Sequence, residues 1–151
     1  MTDSLKTAIR AQREALTAML GEQMFQLAGQ CAPLLTNKQG LQALLSEALP
    51  QFSYCKHLYV LDANGVQITD NIIAGGEDAA HFGRDRMDRP YMEGIIGSTD
   101  FKLSDAYISR NKKRPSLTAI QVIRDEQGKR VGFLGADFDL RELPGIKERY
   151  R

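Results

Sequence analysis

The segment from 83 to 92, GRDRMDRPYM, gathers three arginines and two aspartates around a Pro-Tyr pair. A guanidinium presents paired N–H donors that match a carboxylate in a bidentate arrangement. Arg89 directly precedes Pro90, and a proline at this point is typical of the first turn of a helix. The start of a helix adds unbonded backbone N–H groups and a partial positive charge. Arg89 is therefore a candidate for binding the carboxylate of a small molecule.

Two tyrosines and one aspartate are further candidates for such a site. Tyr91 and Tyr107 each offer a ring face for an aliphatic body and a hydroxyl for a polar tip. Asp137 lies in an apolar strand-like run, where an unpaired carboxylate is costly, so it needs either a ligand or a protein donor as its partner. Apolar walls with a few convergent polar groups are typical of small-molecule sites.

A surface ion-pair network is the alternative interpretation of the same segment. An arginine flanked by aspartates more often belongs to such a network than to a ligand site. We predict that Arg84 and Arg86 pair with loop carboxylates, either Asp85, Asp88 or Glu77. If Arg89 does the same, the segment only holds a bend in the chain.

Two helices are predicted before any strand. Apolar residues recur at three-, four- and seven-residue steps from 3 to about 35, which predicts one long helix. Residues 38 to 49 predict a shorter helix that ends at Pro50. We expect part of the long helix to contact a second copy of the chain, because a single sheet cannot cover its whole stripe. The stripe consists of Ile9, Leu16, Leu20, Met24, Leu27 and Cys31.

The pattern beyond residue 57 alternates as in strands. The runs 57–62 and 66–70 flank Asn64-Gly65, which predicts a hairpin because both residues tolerate positive φ. The order of elements predicts an α+β fold, with one antiparallel sheet of about five strands and helices against one face. The remaining segments are predicted as a loop, a short helix and three strands, over 72–83, 89–98, 105–109, 116–125 and 130–140 in that order.

Length and composition limit the classes of function. The 151 residues fit a single domain over 1–151, with helices in 1–50 and a sheet core in 57–140. The net charge of +1 gives no support for a nucleic-acid or membrane partner. The first residues are charged throughout and no apolar run is long enough to span a bilayer, so we expect a cytoplasmic location. The two cysteines and two histidines show no metal-like spacing, and neither a metal nor a cofactor is expected.

The familiar motifs of catalysis do not occur in the sequence. It has no nucleophile elbow, no phosphate-binding glycine loop and no His-centred triad. The remaining enzymatic alternative uses Asp137 and Tyr107 as acid and base, which lack a recognisable matched arrangement. The sequence therefore predicts binding without turnover.

Four segments, in this order, resemble the Cache (PDC) sensor domains: LYVLDANGVQITD, GRDRMDRPYM, LSDAYIS and VGFLGADFDL. The resemblance covers roughly residues 57–140. The long N-terminal helix also fits, because in that family it often lies along a partner subunit. The resemblance implies an extended PAS-like fold that binds a small molecule and forms a homodimer through this helix.

Amino-acid-binding members of that family surround the ligand with an arginine, aromatic rings and aspartates. An aspartate of the last strand holds the amino group of the ligand. The resemblance gives these roles to Arg89, Tyr91, Tyr107 and Asp137.

Two positions depart from the family pattern. Met92 replaces the second ring after the proline, and Ser109 replaces the acidic residue two positions after the strand tyrosine. Ser109 is still a candidate ligand-binding residue by its position. The loss of one anionic partner favours a plain carboxylate, or another small polar metabolite, over a standard amino acid.

The combined prediction is a sensor domain that binds a carboxylate-bearing metabolite, either an organic acid or an amino acid. It would signal through dimerisation or through a protein partner. The alternative is a profilin-like or roadblock-like module for protein–protein interaction without a ligand, which also has an early Asn-Gly hairpin and a helix between strands. The interval from Arg89 to Tyr107 distinguishes the two, because the interaction module does not require it.

Overall fold

The computed structural model describes residues 2–92, 99–104, 107–108 and 115–143 of the chain. Helix α1 spans Thr2–Cys31, as the apolar periodicity predicts. Five members of its stripe are buried in the main core, and the sheet of the same chain covers them. A contact with a second copy therefore has to use another face of α1 or its first half. The buried members are Leu16, Leu20, Met24, Leu27 and Cys31.

Helix α2 spans Lys38–Ala48, close to the predicted 38–49. The side chain of Asn37 accepts a hydrogen bond of 2.9 Å from the backbone N–H of Gly40, which satisfies one of the unbonded donors at the helix start. Leu41 and Leu45 are fully buried on its inner face. A short 3₁₀ turn that contains Pro50 follows the helix, so the predicted stop is confirmed. Among the described residues, no helix is long and apolar enough to cross a membrane.

The described strands form one antiparallel sheet, and the α+β prediction is confirmed. Its order is β3-β2-β1-β7-β6-β4, and β5 pairs with β6 outside this path. The two longest strands, β6 and β7, lie side by side near its centre, as their apolar content predicts. The strands are β1 (Cys55–Asp62), β2 (Asn71–Ile73), β3 (Gly76–Asp78), β4 (Phe101–Leu103), β5 (Tyr107–Ile108), β6 (Pro115–Arg124) and β7 (Arg130–Asp139).

The predicted count of about five strands is too low, because seven are present in the described part of the chain. The predicted loop 72–83 contains a hairpin of β2 and β3, in which Gly75 adopts a φ of +80° at the turn. Its paired glycines form the turn of that hairpin. β2, β3 and β4 have three residues each, which is too short for alternation to show in the sequence.

The turn at Asn64-Gly65 forms, but the segment 66–70 after it is not a regular strand. Gly65 has a φ of +84°, and the N–H of Asp62 donates to the carbonyl of Val66 at 2.8 Å. Beyond this point the backbone hydrogen bonds go elsewhere: the N–H of Gln67 donates to the carbonyl of Arg84 at 2.8 Å. Thr69 accepts the N–H of Val60 through its side chain, at 3.0 Å. The residues after the turn therefore divide their hydrogen bonds between β1 and the segment 83–86.

The two predicted elements between β3 and β6 are described only in part. A 3₁₀ turn over Pro90–Met92 stands where a helix over 89–98 was predicted, and 93–98 lie outside the described residues. β5 falls within the predicted strand 105–109, whose other positions also lie outside the described residues.

The sheet has two apolar faces. Leu58 and Val60 of β1 face the helices, and Tyr59 and Leu61 face the opposite side, as the alternation of a strand requires. We call this side the distal face. The distal face carries a smaller buried cluster of Tyr59, Leu61, Tyr91, Met92, Ile120, Val122 and Phe133.

Candidate functional site

The candidate site lies on the distal face, where three neighbouring strands place polar side chains beside one another. In the strand register, Asp137 of β7 lies between His57 of β1 and Thr118 of β6. Tyr59, two positions along β1, is paired with Gly135. Successive residues of a strand alternate between faces, so these positions point to the same side of the sheet.

Asp137 accepts three hydrogen bonds from protein side chains. Its Oδ1 accepts from the hydroxyl of Tyr59 at 2.9 Å and from that of Thr118 at 2.8 Å. Its Oδ2 lies 3.3 Å from Nδ1 of His57. Of the two partners left open by the sequence, a ligand or protein donors, the structure shows protein donors.

The pKa of Asp137 is lowered below its ordinary value. Burial on its own would raise this pKa, because it disfavours the charged form. The hydrogen bond and charge of His57 outweigh burial, with help from the charge of Arg86 and the hydroxyl of Thr118. Asp137 is therefore an ionised carboxylate at neutral pH, held on the sheet surface of the site.

Arg86 is buried over the distal face of the sheet, with 4% of its surface exposed. Its guanidinium lies 4.4 Å from the centre of the Tyr59 ring, in cation–π geometry. It donates to the hydroxyl of Tyr91 at 2.9 Å and to Oε1 of Gln67 at 2.8 Å. The prediction that Arg86 pairs with a loop carboxylate is therefore wrong. The reason is that residues 83–86 hydrogen-bond to the backbone of residues 65–67, which carries Arg86 over the sheet.

Polar side chains of the segment after the hairpin turn support Arg86. Gln67 and Asn71 are buried, and the amide of Gln67 donates to Oδ1 of Asn71 at 3.0 Å. Asn71 in turn lies 3.4 Å from both Arg86 and His81. Burial, followed by the charge of Arg86, lowers the pKa of His81, so His81 is held as the neutral imidazole at neutral pH.

Arg89 lies immediately before the 3₁₀ turn that contains Tyr91, and its side chain is only 10% exposed. Its partner is Asp88, at 3.8 Å, whose own side chain is 67% exposed. Among the described residues, its guanidinium makes no side-chain hydrogen bond. Within this part of the chain, a nearly buried guanidinium with one distant, solvated partner has donors left for another acceptor. The ligand role of Arg89 stays a prediction.

Of the other predicted site residues, the structure describes Tyr91 fully, Tyr107 in part and Ser109 not at all. Tyr91 is 2% exposed and belongs to the distal-face cluster with Tyr59. Burial raises the pKa of its hydroxyl, which is held by hydrogen bonds to Arg86 and Tyr59. The backbone of Tyr107 pairs with Ser116 on β6, but its side chain and the whole of Ser109 lie outside what the structure describes. Whether the two tyrosine rings share one cavity stays a prediction.

Glycine 135 lets the Tyr59 ring lie across β7. A Cβ at this position would come within 2.2 Å of Cε2 of Tyr59, which is an impossible contact. Tyr59 therefore contacts β7 below and Arg86 above, which fixes the hydroxyl that bonds Asp137. The sequence interpretation missed Tyr59, Thr118, His57 and Arg86. The sequence shows Tyr59 in one predicted strand and Gly135 in another, but sequence pattern alone does not predict that these two residues pair.

Comparison with solved structures identifies the fold. An extracellular ligand-binding receptor from Desulfohalobium retbaense DSM5692 matches with a TM-score of 0.74 and 15% identity, over 97% of this chain and 26% of that one. The ligand-binding domain of the Campylobacter jejuni chemoreceptor Tlp3, in complex with 4-methylisoleucine, matches with a TM-score of 0.70 and 17% identity, over 96% and 59%. The fold is that of a chemoreceptor ligand-binding domain.

A third structure with this fold is the ligand-binding domain of the Pseudomonas fluorescens chemoreceptor CtaA in complex with L-valine. It matches with a TM-score of 0.64 and 20% identity, over 89% of this chain and 59% of that one. The chain thus spans between about a quarter and three fifths of these structures. No protein-family model matches the chain, and no curated protein matches it significantly. The resemblance to Cache (PDC) sensor domains is confirmed at the level of the fold.

Proposed function

We propose that this chain is a sensor domain that binds a small carboxylate-bearing metabolite, an organic acid or an amino acid, on its distal face. The observation that carries the proposal is Arg89. Its side chain is nearly buried two positions before Tyr91, and its only partner among the described residues is a solvated aspartate 3.8 Å away. Burying a cation with so weak a partner is costly unless an anion joins it, and a carboxylate matches its paired donors.

The fold supports the same proposal from a second direction. Two of the similar structures hold an amino acid or an amino-acid derivative, namely L-valine in CtaA and 4-methylisoleucine in Tlp3. All three are ligand-binding domains of receptors rather than interaction modules of the profilin-like or roadblock-like kind. Low identity limits this likeness to the fold, so the class of ligand rests on Arg89 and its surroundings.

Signalling through a dimer, or through a protein partner, belongs to the same proposal. Away from the sheet, α1 exposes the large apolar side chains of Met19 and Phe25, at 42% and 63%. This side, rather than the buried stripe, is the surface of α1 available to a second copy over residues 16 to 31. The cytoplasmic location predicted from the sequence stays a prediction.

A thermal-shift screen of organic and amino acids, followed by calorimetric titration of the hits, tests the proposed function. Arg89→Ala is expected to weaken binding by about 2–5 kcal/mol, the range for truncating one side of a buried charge pair. Arg89→Lys is also expected to bind poorly, because a point charge does not reproduce the planar fork of a guanidinium.

Arg84→Ala is the control for these two variants. Arg84 lies on the preceding loop and is exposed, so its loss is expected to leave affinity unchanged. Equal affinity of the wild type and Arg89→Ala would remove Arg89 from the site. A screen without any hit would favour the interaction module without a ligand.

A further inference from the structure

We propose that the site selects carboxylates without an α-ammonium group, and that Tyr59 and Thr118 set this selectivity by occupying Asp137. The inference rests on the proposed function and narrows its class of ligand. Tyr59 and Thr118 would set selectivity through their hydrogen bonds to Asp137, without contacting the carboxylate of the ligand.

The first step concerns the hydrogen-bonding capacity of Asp137. A carboxylate oxygen offers two lone pairs, and Oδ1 already accepts two short hydrogen bonds, from Tyr59 and Thr118 at 2.9 and 2.8 Å. Oδ2 has a further partner in His57 at 3.3 Å. The anion that would receive an ammonium group is thus largely occupied by the protein itself. One lone pair of Oδ2 remains, so an incoming ammonium finds a single acceptor site on Asp137. To gain a second one it would have to displace a hydroxyl, which would then be buried without its acceptor.

The second step concerns the rigidity of these donors. The Tyr59 ring lies so close to Gly135 that a single added Cβ would overlap it. The guanidinium of Arg86 lies 4.4 Å from the centre of the same ring. Thr118 is fully buried and directly opposite Asp137 in the strand register. Neither hydroxyl is on a mobile surface group that moves aside at little cost.

The third step concerns charge. Besides the tyrosine hydroxyls, the ionisable groups that the proposal brings together here are Arg86, Arg89, His57 and Asp137. With His57 neutral they sum to +1, and with His57 protonated to +2; Asp88 beside Arg89 is two-thirds exposed and screened by water. A simple carboxylate balances the net positive charge. A zwitterionic amino acid brings no net charge and leaves it uncompensated.

Matched pairs of ligands test the selectivity directly in the wild type. The probes are propionate with alanine, 4-methylpentanoate with leucine, and succinate with aspartate, which differ only in the ammonium group. In every pair that binds, the compound without the ammonium group is expected to bind about 10-fold tighter or more. Equal binding, or a preference for the amino acid, would overturn the inference and leave the proposed function intact. Failure of all six probes to bind would overturn both.

Two substitutions test the assigned residues. Tyr59→Phe and Thr118→Val each remove one donor from Oδ1 of Asp137 and keep the shape of the side chain. Each is expected to narrow the preference within a pair by about 10-fold, because Asp137 regains capacity for an ammonium. Tyr54→Phe makes the same chemical change at an exposed tyrosine and is expected to leave the ratio unchanged.

The ratio of affinities within a pair separates selectivity from general damage. A variant that only loosens the site weakens both members of a pair alike. An unchanged ratio in both Tyr59→Phe and Thr118→Val, with wild-type selectivity confirmed, would overturn the assignment of these residues. Each variant is also melted, and if one fails to fold, the other decides.

Discussion

At the scale of single residues, Asp137 shows how hydrogen bonds overcome burial. A carboxylate on a central strand is expected to have a raised pKa, since burial disfavours its charged form. The hydrogen bond and charge of His57, the charge of Arg86 and the hydrogen bond from Thr118 reverse this, and the pKa falls below its ordinary value. The hydrogen bonds to this anion also limit what a ligand can do with it.

This pKa predicts a dependence of stability on pH. The folded pKa of Asp137 lies below its unfolded value of about 3.8, so the carboxylate stabilises the fold above that pH. The contribution is lost as the pH falls through the folded pKa. We therefore expect Asp137→Asn to be less stable than the wild type near neutral pH, and the difference to shrink on acidification below about pH 4.

Denaturant unfolding of both proteins across this pH range measures the difference. Glu126→Gln changes an exposed carboxylate and serves as the control, with a small difference from the wild type throughout. A difference between Asp137→Asn and the wild type that stays constant or grows on acidification would contradict the stabilising role of the anion.

At the scale of elements, the distal face depends on the contact between β1 and β7. The ring of Tyr59 crosses the neighbouring strand in the space that Gly135 leaves open. This contact fixes the tyrosine hydroxyl over Asp137, so the packing of the two strands and the chemistry of the site are linked. A glycine in a strand interior usually weakens it, and here it marks the close approach of another element.

We expect Gly135→Ala to destabilise the fold by about 1–3 kcal/mol, the usual cost of overpacking, because the new methyl group overlaps the Tyr59 ring. Gly21→Ala is the matched control. It lies within α1 with nothing within 4 Å of the added carbon, and alanine is the better helix former. That variant is expected to be as stable as the wild type or up to about 1 kcal/mol more stable. Equal effects of the two substitutions in thermal unfolding would argue against the close packing of Tyr59.

At the scale of the whole molecule, α1 has two different faces. Its inner face packs on the sheet through six buried side chains between Leu16 and Cys31. Its outer face exposes Met19 and Phe25. The outer face is therefore the part of this helix that we assign to a second copy.

We expect the chain to form a dimer at micromolar concentration and Phe25→Glu to shift it toward the monomer, because a charge replaces an apolar contact in the interface. Phe82→Glu makes the same change at another exposed phenylalanine, at 48% exposure, and should leave the dimer intact. Light scattering measures the mass of each. A monomeric wild type would remove the proposed assembly, and a dimer unaffected by Phe25→Glu would move it to another surface.

The local sequence pattern was sufficient to predict the long regular elements and the turn with a strong sequence signal. The two helices, the long strands β6 and β7 and the turn at Gly65 could all be predicted, because periodicity and special backbone angles are properties of neighbouring residues. Arg89 and Tyr91 were chosen from the sequence as candidate ligand-binding residues at a predicted helix start, and the structure shows both to be buried. The strands of three residues were missed because alternation needs more positions to show.

The contacts of the site were decided by the tertiary structure alone. Arg84 and Arg86 both neighbour Asp85 in the sequence, yet only Arg86 is buried, over the ring of Tyr59. Its position follows from backbone hydrogen bonds between residues 65–67 and 83–86. His57 and Tyr59 meet Asp137 across 80 and 78 positions of sequence, in a register set by the whole sheet. The sequence chemistry identified Asp137 as a carboxylate that needs a partner, but only the strand order determined which donors occupy it.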